Sequence, residues 1–251
     1  MRVNHTLYYA QQGYVEINFD LFVSTMQAGA CGRFYVDNHI PVTLQGSAEK
    51  GCLLFAHGAG AGQESDFVRQ FATSAAQDGI QLMTFDFTYM QRMNIEGRRR
   101  PPAKIEQLVT EMSAWYESLL AATDQPIWVG GKSMGGRVAS LLAAQRQVPG
   151  VIIAGYPFHP PRSPDKLRLA HWGDVSAPSL IIQGERDPFG RRDEVAAYSL
   201  PANTEVEWLV TGDHDFKPLR ASGWDQSALI QQATRKAANF MLTHRDVNGV
   251  C

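Results

Sequence analysis

Three residues in this chain could together turn a hydroxyl into a nucleophile: Ser133, Asp187 and His214. A serine hydroxyl attacks poorly until a base removes its proton. An imidazole does this well when a carboxylate orients it and stabilises its charged form. Ser133 lies in Gly130-Gly131-Lys132-Ser133-Met134-Gly135-Gly136-Arg137, which has the G-x-S-x-G spacing of a nucleophile elbow. Such a serine sits on a sharp strand-to-helix turn in strained backbone geometry. Side chains two residues before and after it would collide, so Gly131 and Gly135 leave room. The turn aims the N–H of Met134, at the start of the next helix, at the reacting oxygen. A P-loop is the rival motif for Gly131-Lys132-Ser133, but it requires glycine at position 126, where Pro126 stands.

In elbow proteins of this kind the acid follows the serine and the histidine comes last. Asp187 lies in Gly184-Glu185-Arg186-Asp187-Pro188-Phe189-Gly190, just past an apolar run at 180–183. His214 lies in Thr211-Gly212-Asp213-His214-Asp215-Phe216, just past a run at 205–210. Residues at strand ends of one parallel sheet share an edge and can converge. Glu185 is the second choice of acid, and Asp213 and Asp215 read as turn-formers. His5, His39, His57, His159 and His171 precede the acid, and His244 lies beyond the last helix. His57-Gly58-Ala59-Gly60 follows an earlier strand and is placed to supply a second oxyanion donor, so the donors are assigned to the N–H groups of Ala59 and Met134. Gln63 stands where a dinucleotide-binding G-x-G-x-x-G would need its third glycine.

These loops need strands and helices to hold them. Residues 52–56, 80–87, 127–129, 150–154 and 177–184 are apolar runs expected of strands covered on both faces, and 205–210 reads as a strand nearer an edge. Helices are expected after Ser65 or Asp66 up to Gly79, over 104–122, over 138–144 and over 225–243. Residues 88–102 read as a loop carrying the basic cluster Arg98-Arg99-Arg100. Alternating strands and helices predict an α/β fold, a mostly parallel central sheet with helices on both faces. Before residue 46 the pattern is weaker. Val15, Ile17, Phe19, Leu21 and Val23 alternate with period two, as in a half-buried strand, and 41–44 reads as another strand. Residues 1–45 are therefore expected to be an extension of edge strands or a partly loose segment, and 46–251 the main domain.

The 251 residues are 44% hydrophobic and 19% charged, which one large α/β domain accounts for. A net charge of −2 gives no electrostatic footprint for nucleic acid or an anionic membrane. Cys31, Cys52 and Cys251 are odd in number and widely spaced, without metal-ligand spacing, and Cys52 reads as a buried thiol. The start of the chain shows no secretory pattern, and no apolar run reaches membrane-spanning length, so a cytoplasmic setting is expected.

Together the motifs at 57–62, 87–101, 130–137, 156–161, 183–190 and 213–214 resemble the α/β-hydrolase superfamily over roughly residues 50 to 245. Within it they look like a branch of small predicted hydrolases related to dienelactone hydrolase, which also holds testis-expressed proteins and a subunit of a histone-acetyltransferase complex. The resemblance implies a triad of Ser133, Asp187 and His214, with no metal and no organic cofactor. Dienelactone hydrolases proper carry cysteine as the nucleophile, so Ser133 departs from them.

The stretch 155–176 is too short for a multi-helix lid, so no large cap is expected. Tyr156, Phe158, His159 and Trp172 are expected to wall a small open site, with Tyr89 either facing it from another loop or packed as an ordinary tyrosine. Such a site suits a small carboxylic ester or thioester, or a protein or peptide conjugate, rather than a long triglyceride, with cleavage through an acyl-enzyme. An acyltransferase or perhydrolase could share this triad. The alternative from another class is a non-enzymatic protein-interaction module on a hydrolase fold. All three triad residues are present, which favours the enzyme.

Overall fold

A computed structural model of the protein describes residues 5–37 and 39–245. Cys251 and the chain start at 1–4, used above in the cysteine and leader readings, lie outside the described residues.

The strands are β1 (Val15–Ile17), β2 (Gly32–Val36), β3 (Ile40–Gln45), β4 (Gly51–Ala56), β5 (Ile80–Phe85), β6 (Ile127–Lys132), β7 (Val151–Ala154), β8 (Ser179–Gly184) and β9 (Thr204–Leu209). They form one sheet in the order β1-β2-β3-β5-β4-β6-β7-β8-β9. The run β5-β4-β6-β7-β8-β9 is parallel throughout. Strand β3 joins it antiparallel to β5, so residues before 46 continue the same sheet.

The helices are α1 (His5–Gln11), α2 (Phe19–Gln27), α3 (Asp66–Gln77), α4 (Thr88–Glu96), α5 (Ile105–Ala122), α6 (Met134–Ala143), α7 (Arg192–Val195) and α8 (Gln226–Thr243). Strand β4 shows why two layers of them are needed. Cys52, Leu54 and Ala56 enter the core beneath α2, α5 and α6, while Leu53 and Phe55 enter the core beneath α3 and α8. Successive side chains of a strand point to opposite faces, so a wholly apolar strand must be covered twice. Cys52 is fully buried, and burial pushes its thiol up to about 12.

Two expectations are corrected. The period-two stretch 15–23 is a strand only at Val15–Ile17, and a helix begins at Phe19. Asn18 caps it, its side chain accepting from the Leu21 N–H at 2.8 Å. Phe22, Val23 and Met26 share the buried face, while Val15 and Leu21 are exposed. The alternation hid a 3.6-residue period. Likewise 88–102 is not all loop: α4 runs to Glu96 and ends on Gly97, whose φ of 64° is open to glycine. Arg98, Arg99 and Arg100 follow it, exposed, with Arg100 paired to Glu96.

The stretch 155–176 forms no cap. It holds one turn of 3-10 helix, Trp172–Asp174, and packs down onto the sheet and α6. His171 belongs to that packing. Ser140 Oγ donates to the Arg137 carbonyl at 2.9 Å, so the His171 Nε2–H must be the donor in its 2.8 Å bond with Ser140 Oγ. Burial, aided by the Arg137 charge, pushes the His171 imidazole down to about 4.

From pH 6.5 down to about 4 the unfolded chain binds a proton at His171 that the folded chain refuses, so stability falls as pH falls through that window. His57 is shifted in the same direction. Urea unfolding of wild type between pH 6.5 and 5 is expected to show this loss. His171→Gln, which keeps a donor for Ser140, is expected to show a shallower one; an unchanged slope would remove His171 from the account.

Candidate active site

The sheet order reverses at β4, whose chain neighbour β5 lies on one side while β6 lies on the other. Ligand crevices in open α/β sheets form at such points, outside the carboxyl ends of the strands. A cleft of about 490 Å³ lies here, lined by Gly58, Ala59, Phe67, Lys132, Ser133, Phe189 and His214 among others.

Ser133 occupies the turn between β6 and α6 with φ 54° and ψ −113°, a conformation that residues with a side chain avoid. Backbone contact makes the turn possible. A Cβ at Gly131 would lie 2.4 Å from the Gly135 carbonyl carbon, and one at Gly135 would lie 2.2 Å from the Ala56 carbonyl oxygen. Neither neighbour is a side chain that can swing away.

The structure brings the three sequence-predicted residues together. His214 Nε2 is 2.8 Å from Ser133 Oγ, and His214 Nδ1 is 2.7 Å from Asp187 Oδ2. Asp187 is fully buried. Its Oδ1 accepts from the Phe189 N–H at 2.8 Å, and its Oδ2 also accepts from Gln183 Nε2 at 2.9 Å. A buried carboxylate with three donors is held in place and kept ready to accept from Nδ1–H. The Phe189 ring packs on the imidazole with centroids 4.4 Å apart. The acid and histidine loops touch directly: a Cβ at Gly184 would lie 2.4 Å from the Asp213 carbonyl oxygen.

Glu185 is turned elsewhere, to Arg192 Nη1 at 2.6 Å and the Thr211 N–H at 3.1 Å. Asp213 forms its turn, with Oδ1 accepting from the N–H groups of Asp215 and Lys217. Asp215 instead stands 3.3 Å from Lys132 Nζ.

Ala59 lines the cleft beside Ser133, and Met134 is the first residue of α6, whose N–H has no carbonyl partner within the helix. The Ala59 loop is held from behind by residues that sequence reasoning did not single out for this role. The Phe87 N–H donates to His57 Nε2 at 3.2 Å, so the ring proton sits on Nδ1, which donates to the Gly58 carbonyl at 2.7 Å. Burial lowers the His57 pKa, which keeps this neutral form in place. Tyr89 Oη donates to the Ala59 carbonyl at 3.0 Å. In a planar trans peptide the N–H points opposite to the C=O, so the N–H groups of Ala59 and Gly60 face away from His57 and Tyr89. Asp86, buried at the end of β5, holds the far side of the loop by accepting from the Gln63 N–H at 2.8 Å. Burial raises its pKa.

The expected walls are a correction. Tyr156 and Phe158 are fully buried and Trp172 nearly so, and they pack on one another with Tyr156 4.9 Å and 5.4 Å from the other two rings. Aromatic pairs of this kind add about 0.5–1.5 kcal/mol beyond the area they bury. His159 is buried as well, Nδ1 donating to the Pro160 carbonyl at 2.9 Å. Tyr89 lies behind the Ala59 loop instead of on the cleft surface. Phe67, Phe189 and Lys132 line the cleft in their place.

Among the described residues no group of three or more His, Cys, Asp or Glu is placed to hold a metal ion, and no helix is long and apolar enough to cross a membrane.

Residues 49–242 match the family model described as an alpha/beta hydrolase domain. The chain belongs to the α/β-hydrolase family. The fold is shared with solved structures of low sequence identity. A dienelactone hydrolase from Anabaena variabilis is 23% identical, with 78% of this chain and 89% of that one covered at a TM-score of 0.59. An α/β serine hydrolase without a lid from Xanthomonas campestris is 18% identical, covering 79% and 89% at 0.59. Est1E from Butyrivibrio proteoclasticus is 13% identical, covering 81% and 95% at 0.59. No curated protein sequence matches the chain.

The elbow glycines give a direct test. Gly135→Ala is expected to lower unfolding free energy in urea by about 3 kcal/mol or more. Gly60→Ala, where no atom lies within 4 Å of the added Cβ, is expected to stay within about 0.5 kcal/mol of wild type. Equal effects would show that backbone crowding at the elbow is not the constraint.

Proposed function

We propose that this protein is a serine hydrolase that cleaves a small carboxylic ester or thioester through an acyl-enzyme, with Ser133 as nucleophile, His214 as base and Asp187 as its orienting acid. The observation that carries the reading is the unbroken hydrogen-bonded path from Ser133 Oγ through His214 to the buried Asp187. Ser133 Oγ attacks the carbonyl carbon as its proton passes to His214 Nε2. The N–H groups of Ala59 and Met134 receive the oxyanion. Collapse breaks the bond to the alcohol or thiol, which leaves with the proton from His214. Water then attacks the acyl-enzyme, gives its proton to His214, and the acid is released as Ser133 regains its hydrogen. Asp187 stays ionised throughout and stabilises the imidazolium.

The cleft of about 490 Å³, open and without a cap, favours short acyl groups over long ones. Its Phe67 and Phe189 walls supply apolar contact for the substrate. No step calls for a metal or an organic cofactor.

Labelling with a fluorophosphonate probe, with mass spectrometry to place the adduct, tests this. The adduct is expected on Ser133 and absent from Ser133→Ala. His214→Ala and Asp187→Asn are expected to label about a thousandfold more slowly or worse. A folded wild type that stays unlabelled, or an adduct elsewhere, would sink the proposal.

A further inference from the structure

Lys132 immediately precedes the proposed nucleophile and takes no part in the proton path just described. Its side chain is only 7% exposed. Removing an ammonium from water is costly, and burial accordingly lowers its pKa. A methionine of similar length would fill the same space without that cost. The charge adds two contacts that methionine could not make. Nζ donates to the His214 carbonyl oxygen at 2.7 Å, and it stands 3.3 Å from Asp215 Oδ1. The Phe67 ring lies beneath it at 5.1 Å.

The loop that carries His214 is tied to the acid loop by the Arg186 N–H, which donates to the Gly212 carbonyl at 2.9 Å. It is tied to α8 by Gln226 Nε2, which donates to the Asp215 carbonyl at 2.7 Å, but neither bond reaches His214 itself. Thr211 and Phe216 both have positive φ, at 59° and 61°, in a region unfavourable to residues with side chains. Its internal bonds, from the N–H groups of Asp213, Asp215, Phe216 and Lys217, give the loop its shape but tie it to nothing else. Among the described residues the Lys132 bond is the only one from the elbow to the main chain of this loop. Lys132 and Ser133 are neighbours in sequence. Two adjacent residues therefore grip His214 at two points, one at its carbonyl and one at its imidazole.

We infer that Lys132 is a positioning residue: its ammonium ties the His214 main chain to the nucleophile elbow, and Asp215 holds and neutralises that ammonium. The second half matters because His214 becomes positive during the reaction. An unpaired lysine beside it would oppose that charge, and the Asp215 carboxylate cancels the opposition. This inference rests on the hydrolase reading above. It concerns how the base is held, and it predicts an effect on turnover more than on substrate affinity.

The test uses the full chain as Lys132→Met, Asp215→Asn and the double variant. Three quantities are measured: the rate of fluorophosphonate labelling, kcat and KM on a short-chain p-nitrophenyl ester, and the melting midpoint. Lys132→Met is expected to lose about 10- to 100-fold in kcat and in labelling rate, the scale of a misplacement of about 1 Å. KM is expected to stay within about twofold, and the midpoint within about 4 °C. Asp215→Asn, a half-exposed position, is expected to lose less, and the double variant to be no slower than Lys132→Met. If Lys132→Met does not fold, slower labelling of Asp215→Asn at an unchanged midpoint supports the inference and unchanged labelling overturns it. A raised KM with kcat kept would make Lys132 a substrate contact instead. A midpoint falling in step with kcat would make it a merely structural residue. A wild type that does not label sinks the hydrolase reading before any variant is compared, whereas a labelled wild type with an equally fast Lys132→Met sinks this inference alone.

Discussion

Ser133 is held where a residue with a side chain does not rest, and much of the molecule exists to keep it there. Strained backbone of this kind persists only when its surroundings leave no alternative. Here the surroundings are backbone atoms. The first turn of α6 lies against the end of β4 so closely that Gly131 and Gly135 have no space for a Cβ. The Ser133 N–H is also tied to the Ala154 carbonyl at 3.0 Å. Strand, turn and helix are therefore fixed as one piece, and the hydroxyl is presented at the sheet edge without any lid to support it.

The other participants reach the same place because of the parallel sheet. Strands β4, β6, β8 and β9 all point the same way, so the loops after them open on one edge. Each loop is then trimmed by short-range bonds of its own. Asp187 is gripped by Gln183 and by the Phe189 N–H, His214 by the turn that Asp213 closes, and the Ala59 loop by His57, Tyr89 and Asp86. Long-range geometry comes from the sheet, and the last ångström comes from side chains buried behind the cleft. Groups held in this way need little reorganisation when charge develops.

Burial sets the charge states behind the site. His57 is kept neutral, and Asp86 is pushed toward its neutral form. The ammonium of Lys132 is the exception on the cleft itself, and it faces a carboxylate. Beside this pair the cleft carries the apolar rings of Phe67 and Phe189 and the side chain of Lys217.

The sequence by itself determined the parts with a short-range signature. Apolar runs marked the parallel strands, glycine spacing marked the elbow, and the order serine, aspartate, histidine picked out residues that the structure places within hydrogen-bonding distance. These are legible because each depends on neighbours a few residues away. Other features were decided only by tertiary structure. Residues 15–23 alternate like a strand, yet Asn18 and the buried face of Phe22 and Met26 make 19–27 a helix. Tyr156 and Phe158 follow a strand end just as Asp187 does, yet they are buried in the core, where Tyr156 packs against both Phe158 and the distant Trp172. The grip of Lys132 on the His214 carbonyl joins residues 82 apart in the chain. No local pattern reports such a bond, since it exists only once two loops have been brought together by the sheet between them.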